Sequence, residues 1–162
     1  MATYQYHSNQ GVDDGIDVGP NMMTLFLTSN ALQQSRPGNT SMDFTTDIPG
    51  RPLLLKGDWS VCLIDITYAA KTRRLNGRVN VMSDICVPSL AGSRMLPVLR
   101  QLNVSAAAGK KRNDKVSNPC YVPLLTRNPI TSIRIYIRST DDEITTDFEG
   151  TVSCTLQLVR TG

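Results

Sequence analysis

The stretch ITSIRIYIR, residues 130–138, decides the fold class. Read as a strand, it sends Ile133, Ile135 and Ile137 to one side and Ser132, Arg134, Tyr136 and Arg138 to the other, because side chains alternate across a pleated backbone. The aliphatic side must be buried against a second layer. The other side is cationic and aromatic, and what it faces has to be found elsewhere in the chain.

Outward from this stretch, the same grammar repeats. MMTLFLT (22–28), SMDFTTDI (41–48), WSVCLIDITY (59–68), VNVMSDICV (79–87), MLPVLRQLNV (95–104), CYVPLL (120–125) and GTVSCTLQLVR (150–160) are short strand-like runs set apart by Gly, Pro, Asn and Asp. In WSVCLIDITY, Trp59, Val61 and Leu63 share a side, and then Asp65 and Ile66 compete for it. Pro97 predicts an edge or broken strand, and SAAAGKKRNDK (105–115) reads as a basic hairpin or loop. No segment has helical periodicity. About eight strands in one domain predict an all-β fold, a β-sandwich or barrel, with a single jelly roll suggested by the strand number.

Residues 1–21 differ from the rest. They are polar and glycine-containing, show neither strand nor helix periodicity, and read as an N-terminal arm preceding a sandwich domain over 22–162. Asp13, Asp14 and Asp17 lie in this arm with no Lys or Arg, so a chain of net charge +3 has a body of +6. These acids are candidates for tethering the arm to a basic patch on this or a neighbouring protein.

The residues exclude most chemistry. His7 is the only histidine and sits in the arm, so no Ser-His or Cys-His pair has a firmly held base. Cys62, Cys86, Cys120 and Cys154 are dispersed, contain no C-x-x-C, and read as reduced, buried thiols of a cytosolic or nuclear protein. AAAGKKR lacks the spacing of a phosphate loop, and Asp141, Asp142 and Glu143 lack that of a calcium loop. Lys110, Lys111 and Arg112 are a weak anion or nucleic-acid candidate. No apolar run is long enough to span a membrane. The expectation is a protein with no catalytic residues, metal or cofactor.

Three collinear stretches resemble a known family. FTTDIPGRPLLLKGDWSVCLIDITY (44–68), VNVMSDICVPSLAGSRMLPVLRQL (79–102), and SNPCYVPL (117–124) followed by ITSIRIYIRSTDDEITTDFEGTVSCTLQLVR (130–160) are similar to the penton, or minor capsid, proteins of Polinton (Maverick) elements, adintoviruses and related viruses such as adomaviruses. The sequence departs from that pattern at Ala69, where Pro is usual, and at Arg134, where an acidic residue is usual. The resemblance implies a single jelly roll forming homopentamers at the five-fold vertices of an icosahedral shell. The implied partners are the major capsid protein and a fibre, spike or internal capsid protein; the location is the virion, assembled in the host cell, with the nucleus expected. It makes Arg134, Tyr136 and Arg138 candidates for subunit contact, since Arg and Tyr are favoured at interfaces. A ligand- or receptor-binding, lectin-like sandwich is the alternative from another functional class.

The alternation itself is testable. Ile135→Ala should cost about 2–5 kcal/mol in urea unfolding as a buried large-to-small change, and Arg134→Ala should leave the monomer fold nearly unaffected. Equal losses would mean that the inward side is misassigned.

Overall fold

The computed structural model describes residues 3–5, 21–29, 36–71, 75–125, 129–141 and 148–162. Its strands are β1 (Thr3–Gln5), β2 (Met22–Thr28), β3 (Asp43–Asp47), β4 (Trp59–Ala70), β5 (Leu75–Ser83), β6 (Ser89–Ala91), β7 (Arg94–Leu96), β8 (Val98–Ala106), β9 (Lys111–Lys115), β10 (Val122–Pro123), β11 (Ser132–Ser139) and β12 (Phe148–Arg160). Sheet one has the order β1-β2-β12-β4-β10, with β9 also on β4; sheet two has the order β3-β11-β5-β8; β6 and β7 form a separate hairpin. All these pairings are antiparallel. Side chains from both sheets merge into one apolar core, so the all-β expectation holds and the layering is consistent with a β-sandwich. Among the described residues no helix is long and apolar enough to cross a membrane.

The alternation in ITSIRIYIR is present as read. Ile133, Ile135 and Ile137 are buried in the core, and Arg134 is exposed on the other side. β11 lies between β3 and β5, and where β5 ends at Ser83 the pairing continues through Asp84. The Asp84 carboxylate accepts from the Arg134 N–H at 3.0 Å, and the Arg134 carbonyl accepts from the Asp84 N–H at 3.4 Å.

The contest between Asp65 and Ile66 is resolved by a β-bulge. Leu63 is opposite Leu156 and Asp65 is opposite Thr155, which leaves Ile64 as an extra residue in β4. Before it Trp59, Val61 and Leu63 point inward; after it Ile66, Tyr68 and Ala70 do. Tyr68 thereby enters the core, where its ring stacks on Phe148 at 4.6 Å and its hydroxyl donates to Asp114 Oδ2 at 2.5 Å.

Several boundaries differ from the sequence reading. The structure has twelve strands among the described residues instead of about eight. Pro97 does break its segment, ending the β6–β7 hairpin before edge strand β8 begins. The basic stretch is not only a loop: after a turn at Gly109 (φ 67°), it adds β9 along β4. CYVPLL forms a strand on β4 only over Val122–Pro123, with β9 lying farther along the same β4 edge, and Leu124 bridges Cys86. Residues 3–5 of the expected arm form β1 on β2, contrary to the reading of the arm as strand-free. Backbone hydrogen-bonding groups along β2 accept this pairing without any apolar alternation in the added segment, which is why pattern alone missed it.

Burial first, and then the hydrogen bond to Asp114, push the Tyr68 phenol from 10.0 up to about 12. A proton held more tightly by the folded state stabilises it below the unfolded pKa, and that stability is lost as pH rises through the folded one. Thermal stability should therefore fall between about pH 10 and 12. Tyr68→Phe, which keeps the stack, should flatten that fall and cost about 0.5–1.5 kcal/mol near neutral pH. An unchanged alkaline slope would refute the assignment.

Candidate subunit interface

The structure brings Arg134, Tyr136 and Arg138 together as a ladder on the outer side of β11. The Arg134 guanidinium carbon lies 4.9 Å from the Tyr136 ring centre, and that of Arg138 lies 5.7 Å away. Cation–π attraction therefore holds both arginines against one ring. Arg134 also grips Asp43 with two charge-assisted hydrogen bonds, Nε to Oδ1 at 2.8 Å and Nη2 to Oδ2 at 2.6 Å. That contact, the largest cause, raises its pKa further, so it stays charged. Because both partners are solvent-accessible, the pair adds little stability and chiefly fixes the arginine's direction.

The same side of sheet two is not an open cationic surface. Asn80 and Met82 are outward-facing yet almost fully buried, at 1% and 0% exposure. Gln101 donates to Asn80 Oδ1 at 3.2 Å. The β6–β7 hairpin leaves at Ser83 and returns at Pro97, whose carbonyl accepts from the Ser83 N–H at 3.1 Å. Its tip, at Gly92 and Ser93, borders a cleft with Thr140 and Asp141 just beyond β11. The hairpin thus runs back along sheet two.

On this hairpin Leu90 is paired directly across from Met95, and the two are 74% and 63% exposed. They are the most exposed large apolar side chains described, and the sequence reading passed over them. A signal was available: SLAGSRML places a small-residue turn between two apolar residues, the grammar of a tight hairpin. Nothing in that pattern reveals which side the pair faces.

The edge of β3 is closed to strand addition. The Asn39 side chain donates to the Thr45 carbonyl at 3.1 Å and accepts from the Thr45 N–H at 3.0 Å, while Arg36 pairs with Asp47. Backbone groups that an approaching strand would need are thus already satisfied.

Lys110, Lys111 and Arg112 do not converge on one point. Lys110 lies in the turn, and alternation along β9 sends Lys111 and Arg112 to opposite sides. Arg112 donates to Asp114 Oδ1 at 2.6 Å and to the Ser105 carbonyl at 2.5 Å, a structural use. Asp13, Asp14 and Asp17 lie outside the described residues.

The cysteines divide differently from expectation. Cys62, Cys86 and Cys154 are buried, whereas Cys120 is exposed in the connection between β9 and β10. Burial pushes the thiols of Cys86 and Cys154 up to about 12 and also raises that of Cys62. Among the described residues no three His, Cys, Asp or Glu side chains gather as a metal site. The sequence matches no protein-family model, and no curated protein matches it.

Thiol reactivity checks this placement. The native protein should react quickly at about one thiol, Cys120, with the others released only on unfolding. Fast modification of Cys86 or Cys154 in the native state would contradict their burial.

Proposed function

We propose that this chain is a structural protein of a viral capsid: a single jelly roll that forms homopentamers at five-fold vertices and docks to the major capsid protein. The observation that carries the reading is the strand order. Taking β9 and β10 as one interrupted strand, the long strands in chain order are β2, β3, β4, β5, β8, β9–β10, β11 and β12. The first, eighth, third and sixth lie together in one sheet; the second, seventh, fourth and fifth lie together in the other. Two interlocked Greek keys produce this succession, and jelly rolls of that kind recur in capsid and lectin domains.

Fold alone does not choose between those two uses. The collinear resemblance to penton proteins favours the capsid, and so does the apolar pair Leu90 and Met95, held outward on a hairpin where a neighbour can cover it. The Arg134–Tyr136–Arg138 ladder supplies a second, polar contact already fixed in direction. In this reading the protein works by self-association and not by catalysis. It resides in the virion, after assembly in the host nucleus, and a fibre, spike or internal capsid protein is a further partner.

Light scattering and electron microscopy of the purified protein test the proposal. Five-fold rings are expected, each neighbour contact burying more than about 1,000 Å². Leu90→Ser with Met95→Ser should leave the thermal midpoint nearly unchanged and weaken association. A monomer at high concentration that forms no rings even beside the major capsid protein would overturn the vertex role.

A further inference from the structure

We propose that Cys62 and Cys120 are a disulfide site, at which a small disulfide such as oxidised glutathione closes a bond that pins the β9–β10 connection onto the outer side of sheet one. The proposal needs no ring, so it holds or fails apart from the capsid reading.

Both ends of that connection are fixed on β4. The Val116 N–H donates to the Ile64 carbonyl at 2.8 Å, and Val122 is opposite Val61. Residues 117–121 thus leave β4 at Ile64 and rejoin it at Val61, looping beside Cys62 and Leu63. The register of β10 carried one step back sets Tyr121 beside Cys62, with Cys120 next in line. One step off an opposed pair, two Cα atoms are about 6 Å apart, and a disulfide spans Cα separations of about 4.4–6.8 Å. β10 begins only at Val122, so strand alternation does not turn Cys120 inward, and it is exposed. A charge on Cys120 is felt at the Cys62 thiol, which puts the two groups within electrostatic reach of each other.

Cys62 faces away from the core and is nevertheless fully buried. Its neighbour on β12 is Gln157, and its neighbour on the other flank is Tyr121. The Tyr121 hydroxyl donates to Gln157 Oε1 at 2.6 Å, so the ring crosses over Cys62 and covers it. This roof is itself exposed and belongs to an exposed connection, and it swings out by giving up that hydrogen bond.

The chemistry is two thiol–disulfide exchanges. The Cys120 thiolate attacks one sulfur of glutathione disulfide; that S–S bond breaks, and one glutathione leaves as a thiolate with the electron pair. Cys62 gives its proton to solvent and attacks the Cys120 sulfur, and the second glutathione leaves in the same way. The two protein thiols are oxidised by two electrons, and one glutathione disulfide is reduced to two glutathiones. Exposure makes Cys120 the entry point; burial, which raises the Cys62 pKa, makes the second exchange the slow one. In a reducing compartment the pair stays open, and in an oxidising one it closes.

Dilute full-length protein, kept native with glutathione disulfide and quenched with acid at intervals, tests this. Intact mass should show a glutathione adduct at Cys120 and then the loss of two hydrogens from a monomeric chain, with unreduced peptide maps joining Cys62 to Cys120. Cys120→Ser should form no such link. Tyr121→Phe, which keeps the ring and removes its hold on Gln157, should speed closure about three- to tenfold. An adduct that persists at Cys120 while Cys62 stays a thiol overturns the inference. So does a Cys120–Cys120 bond between two chains, or a link through Cys86 or Cys154. An unchanged closing rate in Tyr121→Phe would overturn the role of the ring as a roof.

Discussion

A single extra residue in β4 organises one side of the molecule. Side chains along a strand alternate with period two, so one inserted residue exchanges inside and outside for everything after it. Ile64 does this, and Tyr68 is turned into the core as a result. The Tyr68 hydroxyl reaches Asp114 on β9, Asp114 also holds Arg112, and Arg112 donates to the Ser105 carbonyl on β8. A chain of hydrogen bonds therefore runs from the centre of sheet one to the edge of sheet two. Short β9, which has little apolar surface of its own, is kept in place by this clasp and by its pairing with β4.

The opposite side is organised by satisfied charge. Asp43 and Asp47 are the two end residues of β3, and each meets an arginine, while Asn39 occupies both backbone groups of Thr45. Edge strands invite unwanted pairing, and these contacts block it without a covering strand. The two sides differ: beside β3 the arginines Arg36 and Arg134 are paired with carboxylates, whereas β9 carries Lys111 and Lys115 exposed. Head-to-tail association requires unlike surfaces of this sort, whereas a two-fold contact would require a self-complementary one.

Sheet two shows why an outward-facing residue is not the same as an exposed one. Met82 and Asn80 point away from the core and are nevertheless buried, and Arg134 is exposed but fixed by Asp43 and Tyr136. The apolar side chains that do meet solvent, Leu90 and Met95, belong to a hairpin only three residues long on each strand. Alternation assigned β11 correctly because its inward residues are all isoleucine. It could not find β1, since Thr3, Tyr4 and Gln5 carry no apolar period and owe their strand to the exposed edge of β2.

The sequence by itself determined the all-β class, the positions of the long strands and the inward side of β11, because burial selects apolar residues at the local period of the backbone. It also determined the uneven charge, with Asp13, Asp14 and Asp17 and no Lys or Arg in residues 1–21 and a net +6 on the rest, which is a matter of composition. Only the tertiary structure decided the phase of β4 after Asp65, the division of residues 105–125 between β9 and β10, and the exposure of Cys120 among four similar cysteines. It alone decided that Arg112 is spent on Asp114 while Lys110 and Lys111 are not. Each of these depends on which residues distant in the chain become neighbours, and a period read along one strand contains no information about the strand beside it.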